Sequence, residues 1–180
     1  MDIPPLEALG PRLMVCGPSS NGKSTLAQAI GDKTGWAVVH VDRLRHLPNT
    51  DWLQRPDAEF AALHEAAIMD ESWVMDGNYS TLMPSRLKRA TGIVLLGANR
   101  WANLGRYLRR TLFERNRVGS LEGLPKERLK FEMIHWILIV SPKNLASYRA
   151  HLPRTGLPMV EVRNLRELDA LYAAWGLARH

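Results

Sequence analysis

The chain has 180 residues, of which 46% are hydrophobic and 23% charged; this mixture excludes a charge-rich disordered chain and suffices for one core. Twenty-four basic against 18 acidic side chains leave a net charge of +6, which suits polyanionic partners, either nucleic acid or nucleotide phosphates, without choosing between them. Cys16 as the single cysteine excludes an internal disulfide, and no apolar run approaches the roughly 18 residues of a spanning helix.

In chain order, residues 12–16 (RLMVC) form a short apolar run closed by Gly17, and residues 24–30 (STLAQAI) then read as a helix. Residues 36–41 (WAVVHV) read as a second strand ending at Asp42, followed by a loop between Pro48 and Pro56. Residues 58–69 carry Phe60, Leu63, Ala67 and Ile68 at helical spacing, and residues 72–75 (SWVM) form a third strand ending at Asp76. A short basic helix over 82–90 leads to a fourth strand, 92–96 (GIVLL), whose exit carries Asn99 and Arg100. Helices are predicted over 101–117 and 126–139, joined by a turn over 119–125. In the second, Glu127, Glu132 and His135 form a polar face around a core Trp136. A fifth strand over 158–162 and a closing helix over 165–175, with Leu165, Leu168, Leu171, Tyr172 and Trp175 on one side, end the chain. Such alternation predicts an α/β fold of three layers, with a five-stranded parallel sheet covered on both faces. One domain spanning residues 1–180 is the simplest account, as no repeat or linker interrupts it.

Gly17, Pro18, Ser19, Ser20, Asn21, Gly22, Lys23 and Ser24 satisfy G-x-x-x-x-G-K-[ST] at every fixed position, between a strand and a helix. Glycines allow successive N–H groups to turn inward around a phosphate, aided by the positive end of the helix dipole. Lys23 then reaches the β- and γ-phosphates and Ser24 offers its hydroxyl to Mg2+. Gly17, the residues from Ser19 to Ser24, and Thr25 beside them are therefore the candidate nucleotide-binding set. Cys16, at the end of the strand, reads as a buried small residue without chemistry.

In a parallel sheet, ligands gather beyond the carboxyl ends of the strands. Asp76 is there a candidate to hold Mg2+ through water, and Asp42 to accept a proton from an acceptor hydroxyl. Arg86, followed by Lys88 and Arg89, is a candidate clamp for an anionic acceptor. Arg100, Arg106, Arg109, Arg110, Arg115 and Arg117 are opposed in their stretch only by Glu114. Arg106, Arg109 and Arg110, spaced by three and four, share a helical face and can converge on one anion as a closing lid.

With these residues in hand, the chain resembles adenylate-kinase-like P-loop kinases, and more narrowly the FlaR group of DNA topology modulation proteins. The resemblance covers residues 12–171, and Asp76, Gly77, Asn78 and Tyr79 after the third strand are its most specific element. It implies a nucleoside- or nucleotide-kinase type of core using ATP and Mg2+. Residues 43–70 would cover the acceptor and residues 100–125 would form a helical lid with Arg106, Arg109 and Arg110 as catalytic residues. Asn78 and Arg86 would contact the acceptor, and Asn164 and Arg166 would lie near the adenine. The chain carries DGNY where adenylate kinases have a glycine, aromatic, proline, arginine run, which removes a phosphate clamp and argues against AMP as acceptor.

The leading expectation is therefore a kinase moving the γ-phosphoryl group of ATP to a nucleotide, nucleoside or other small hydroxyl compound. Lys23 and the lid arginines would stabilise the transition state and Asp42 would act on the acceptor. The competing expectation is an ATP-binding regulator of nucleic acid. The first ten residues lack the basic start and apolar stretch of a secretion signal, so the expected location is cytoplasmic, with no membrane partner.

Overall fold

The computed structural model describes residues 3–97, 99–113, 118–121 and 129–179. Five strands, β1 (Arg12–Cys16), β2 (Ala37–His40), β3 (Trp73–Asp76), β4 (Gly92–Leu96) and β5 (Met159–Val162), form one sheet in the order β2-β3-β1-β4-β5, all neighbours parallel. Each connection carries at least one helix, as parallel pairing requires.

Successive residues of β1 serve opposite faces of the sheet, so the strand reads as an unbroken apolar run. Leu13 and Val15 join Val74, Val94, Val160 and the helices α1 (Lys23–Thr34) and α8 (Leu165–Ala174). Met14 and Cys16 join Met75, Ile93 and Leu95 beneath α3 (Asp57–Ile68), α4 (Met83–Arg89) and α7 (Ser141–His151). The central β1 thus delivers the glycine loop to the middle of the sheet's carboxyl edge.

Several boundaries differ from expectation. The second strand ends at His40, and Asp42 lies in the first turn of a short helix, α2 (Val41–Arg45). The buried stripe of α3 is Phe60, His64 and Ile68, whereas Leu63 is 37% exposed. Helix α5 (Arg100–Phe113) is described as far as Phe113, and Arg115 and Arg117 lie outside the described residues, as do Lys126 and Glu127.

The second helix of that region runs later than predicted. It comprises α6 (Phe131–His135), a π-helical turn over Trp136–Val140, and α7. Ser141-Pro142 reads as a helix end, because proline lacks an N–H to donate. The widened turn immediately before it absorbs the ring and the helix continues. Ile137 is the buried residue of this turn, and Trp136 is 43% exposed, not a core side chain. In α8, Leu165 is exposed while Leu171 and Tyr172 are buried, as is Trp175 just after it. No helix among the described residues is long and apolar enough to cross a membrane.

Candidate functional site

The loop after β1 is anchored on both flanks. Asn78 accepts from the Gly17 N–H at 3.2 Å and donates from Nδ2 to the Gly17 carbonyl at 2.9 Å. Asn21 donates from Nδ2 to the Leu96 carbonyl at the end of β4, at 2.8 Å. Gly17 has φ +141°, and a Cβ there would stand 2.1 Å from the Leu96 oxygen, so only glycine fits. Asn78, expected at the acceptor, thus has both ends of its amide on the phosphate loop.

Gly22 precedes α1 in the left-handed region, and no side chain caps that helix. Its first-turn N–H groups therefore point at the loop without a side-chain acceptor, the usual basis of an anion site. Lys23 rests its ammonium on the Pro18 carbonyl at 2.7 Å. Burial pushes its pKa below the ordinary lysine range against the pull of Asp76 and Asp42, and Arg110 pushes the same way. A phosphate would relieve both effects. Within the loop, the Ser20 hydroxyl is buried without a partner among the described residues. Ser19 and Thr25 are half-buried beside it. These features fit a triphosphate.

Parallel register sets the next layer. His40 and Asp76 are paired positions on β2 and β3, and Asp76 is in turn paired with Val15 on β1. His40 Nδ1 lies 2.7 Å from Asp76 Oδ1, and since a carboxylate only accepts, the ring donates. Ser24 donates from Oγ to Asp76 Oδ2. A hydroxyl and a carboxylate, both hard oxygen donors, are what Mg2+ takes when most of its shell is water and phosphate. His40 was not singled out from the sequence; it sits two residues before the expected strand end, and only the register shows its role as support for Asp76.

On the acceptor side, Tyr79 donates its hydroxyl to Asp42 Oδ1 at 2.6 Å. Its ring packs edge-on to Phe60 at 5.2 Å, and Arg45 lies over the other aromatic at 5.2 Å. Asp42 itself is exposed. Burial and the Asp42 charge push the Tyr79 phenol well above its ordinary range, so it remains a donor. Arg43 donates to the Ser120 carbonyl at 2.9 Å, tying residues 118–121 to this edge. There Gly119, with φ +76°, passes so close to Ser24 that a Cβ would lie 2.8 Å from its Oγ.

Arg86, expected to meet the acceptor, is 0% exposed. Its Nη1 donates to the Gly77 carbonyl at 2.7 Å and its Nε to His64 Nε2 at 3.1 Å. Burial, then the neighbouring guanidinium, lowers the His64 pKa to about 4. Arg86 thus supports the Asp76-Gly77-Asn78 turn from beneath. Arg106 donates to the Ser20 carbonyl at 2.7 Å and to Asn103 Oδ1 at 2.5 Å, which puts it on the phosphate loop. Arg110 stacks on Tyr107 at 5.7 Å and acts on Lys23, while Arg109 is exposed. Asn164 caps α8 by accepting from the Glu167 N–H at 3.0 Å, and Arg166 is exposed beside it. Cys16 is buried with its thiol pushed up to about 11, which makes it a poor nucleophile.

The five-stranded parallel sheet with its glycine loop and flanking helices is the α/β fold of the P-loop kinases. Among solved structures, a gluconokinase from Sinorhizobium meliloti 1021 matches with a TM-score of 0.56 at 14% identity, covering 93% of this chain and 91% of its own. A shikimate kinase from Acinetobacter baumannii in complex with shikimate matches with a TM-score of 0.51 at 15% identity, covering 93% and 94%. At these identities the likeness defines the fold. No protein-family model and no curated protein matches the chain.

Proposed function

We propose that the chain is a kinase that transfers the γ-phosphoryl group of ATP to a hydroxyl of a small acceptor. The observation that carries this reading is the exposed Asp42 carboxylate, held by Tyr79 on the side of the phosphate loop where Asp76 and Ser24 meet. Asp42 is near enough to Lys23 for its charge to act on the ammonium.

The acceptor oxygen attacks the γ-phosphorus while the bond to the bridging oxygen breaks, ADP departs, and Asp42 takes the hydroxyl proton. Lys23, Arg106 and Arg110 meet the negative charge that spreads over the transferring oxygens, and Arg109 closes from the same helix. Magnesium, when bound, neutralises phosphate charge; Ser24, and Asp76 through water, would hold it, with His40 fixing the carboxylate. Residues 100–125 would act as lid and residues 43–70 as acceptor cover within a single domain. Asn164 and Arg166 would border the base.

A hydroxyl acceptor is favoured over a phosphate because Asp42 would repel a phosphate and Arg86 is buried. Both solved neighbours are kinases by name, and one holds shikimate. The test follows ADP release with ATP and Mg2+ against nucleotides, nucleosides, polyols and hydroxy acids. One hydroxyl compound should stimulate release, and Asp42→Asn should cut kcat with it by about 10²- to 10⁴-fold. Turnover indifferent to every acceptor, or unchanged in Asp42→Asn, would refute the proposal.

A further inference from the structure

Behind the phosphate loop lies a cavity of about 210 Å³, between Pro18, the start of α5 and the start of α7. Its polar lining consists of Arg100, Asn103, Ser141 and Arg149, and no carboxylate lines it. Asn103 is 1% and Ser141 4% exposed. The Asn103 carbonyl accepts from Arg106, and among the described residues neither Asn103 Nδ2 nor the Ser141 hydroxyl makes a hydrogen bond. Both residues line the cavity, so their donors are open to whatever occupies it.

The two arginines point the same way. Arg149 is fixed from outside the lining by Glu161, which accepts from its Nε at 2.6 Å. Its Nη2 lies over Gly97, where a Cβ would come within 3.1 Å, so the bare glycine leaves room for the guanidinium. Arg100 is exposed at the opening of α5, the positive end of that helix. Two cations and two further donors around one cavity form an anion-binding set. Its volume is below that of ordinary ligand pockets, which limits the occupant to a few atoms.

We propose that this cavity is a second anion subsite, beside the phosphate loop, that takes a free phosphate or a small carboxylate. The occupant abuts residues that serve the triphosphate, because Pro18 holds Lys23 and Asn103 holds Arg106. The subsite does not depend on phosphoryl transfer, and its test requires no turnover.

Inorganic phosphate also suits the phosphate loop, so melting temperature is followed against phosphate in the native chain and in Lys23→Ala. Malonate supplies the carboxylate arm and chloride at matched ionic strength the control. Both proteins should show a saturable rise with phosphate or malonate, the stronger response identifying the ligand's chemistry. Arg100→Gln and, separately, Ser141→Ala, each in the Lys23→Ala background, should shift the midpoint at least about tenfold higher. Arg100 is exposed, so its replacement leaves the fold intact. A response that vanishes with Lys23→Ala, survives Arg100→Gln unchanged, or equals that of chloride overturns the proposal.

Discussion

Tyr79 holds a positive φ of 33°, a conformation that costs a non-glycine residue on the order of 1–3 kcal/mol. Its ring packs on Phe60 and its hydroxyl holds Asp42, so the turn that strains it also aims the carboxylate. Tyr79→Phe keeps the ring and deletes the donor. Steady-state kinetics should show kcat lowered roughly 10- to 100-fold, the value of a hydrogen bond to a charged group, with KM for ATP unchanged; equal kcat values would remove Tyr79 from the mechanism. Lys23 and Ser24 could be placed from the sequence because the glycine-loop motif fixes their spacing, and Asp76 because it ends an apolar strand. His40, and the bond by which Tyr79 holds Asp42, could not, since the partners lie 36 and 37 positions away and are brought together by strand register and a turn. Arg86 was legible as important but misjudged in place: nothing in a basic helix signals that one guanidinium turns inward.

At the scale of elements, α3 and α4 meet through His64 and Arg86, whereas the expected apolar stripe of α3 held Leu63 and not His64. Histidine in the apolar stripe escapes a hydrophobic count, although Phe60, His64 and Ile68 keep perfect helical spacing. The His64 pKa falls from 6.5 to about 4 on folding, so the unfolded chain binds the extra proton between these values. The contribution is whole above pH 6.5 and is lost as pH falls through about 4, worth no more than about 3 kcal/mol. Urea midpoints measured across that window should fall with acid, and His64→Gln, which keeps an acceptor for Arg86 without titrating, should flatten the decline. An identical slope in both proteins would assign the acid sensitivity elsewhere. Strands were legible to within a residue or two because glycine and aspartate punctuate them. The helix through Pro142 was not, because a π-turn leaves no sequence mark.

For the whole molecule, the charge of +6 distinguishes the kinase from the nucleic-acid regulator only through its salt dependence. A kinase with a basic lid should bind duplex DNA weakly, with affinity collapsing between 50 and 200 mM salt as displaced counterions return. Its ATP turnover should not respond to DNA. Filter or fluorescence binding across that range decides: tight, ATP-dependent binding at 200 mM salt would favour the regulator. The fold class was readable from alternation and the glycine loop together, whereas the order β2-β3-β1-β4-β5 was not, since crossovers skip strands without leaving a local signal.

The two asparagines that moor the phosphate loop, Asn78 to Gly17 and Asn21 to Leu96, carry a consequence for how the nucleotide arrives. A loop moored to two neighbouring strands has surrendered its conformational freedom during folding. Under the proposed function, an incoming triphosphate would meet a rigid cradle and lose little of its binding energy to ordering it. Asn78 bonds backbone alone and Asn21 also accepts from the Lys23 ammonium at 3.5 Å; under that same function the two would set the thermodynamic starting point of the encounter with ATP.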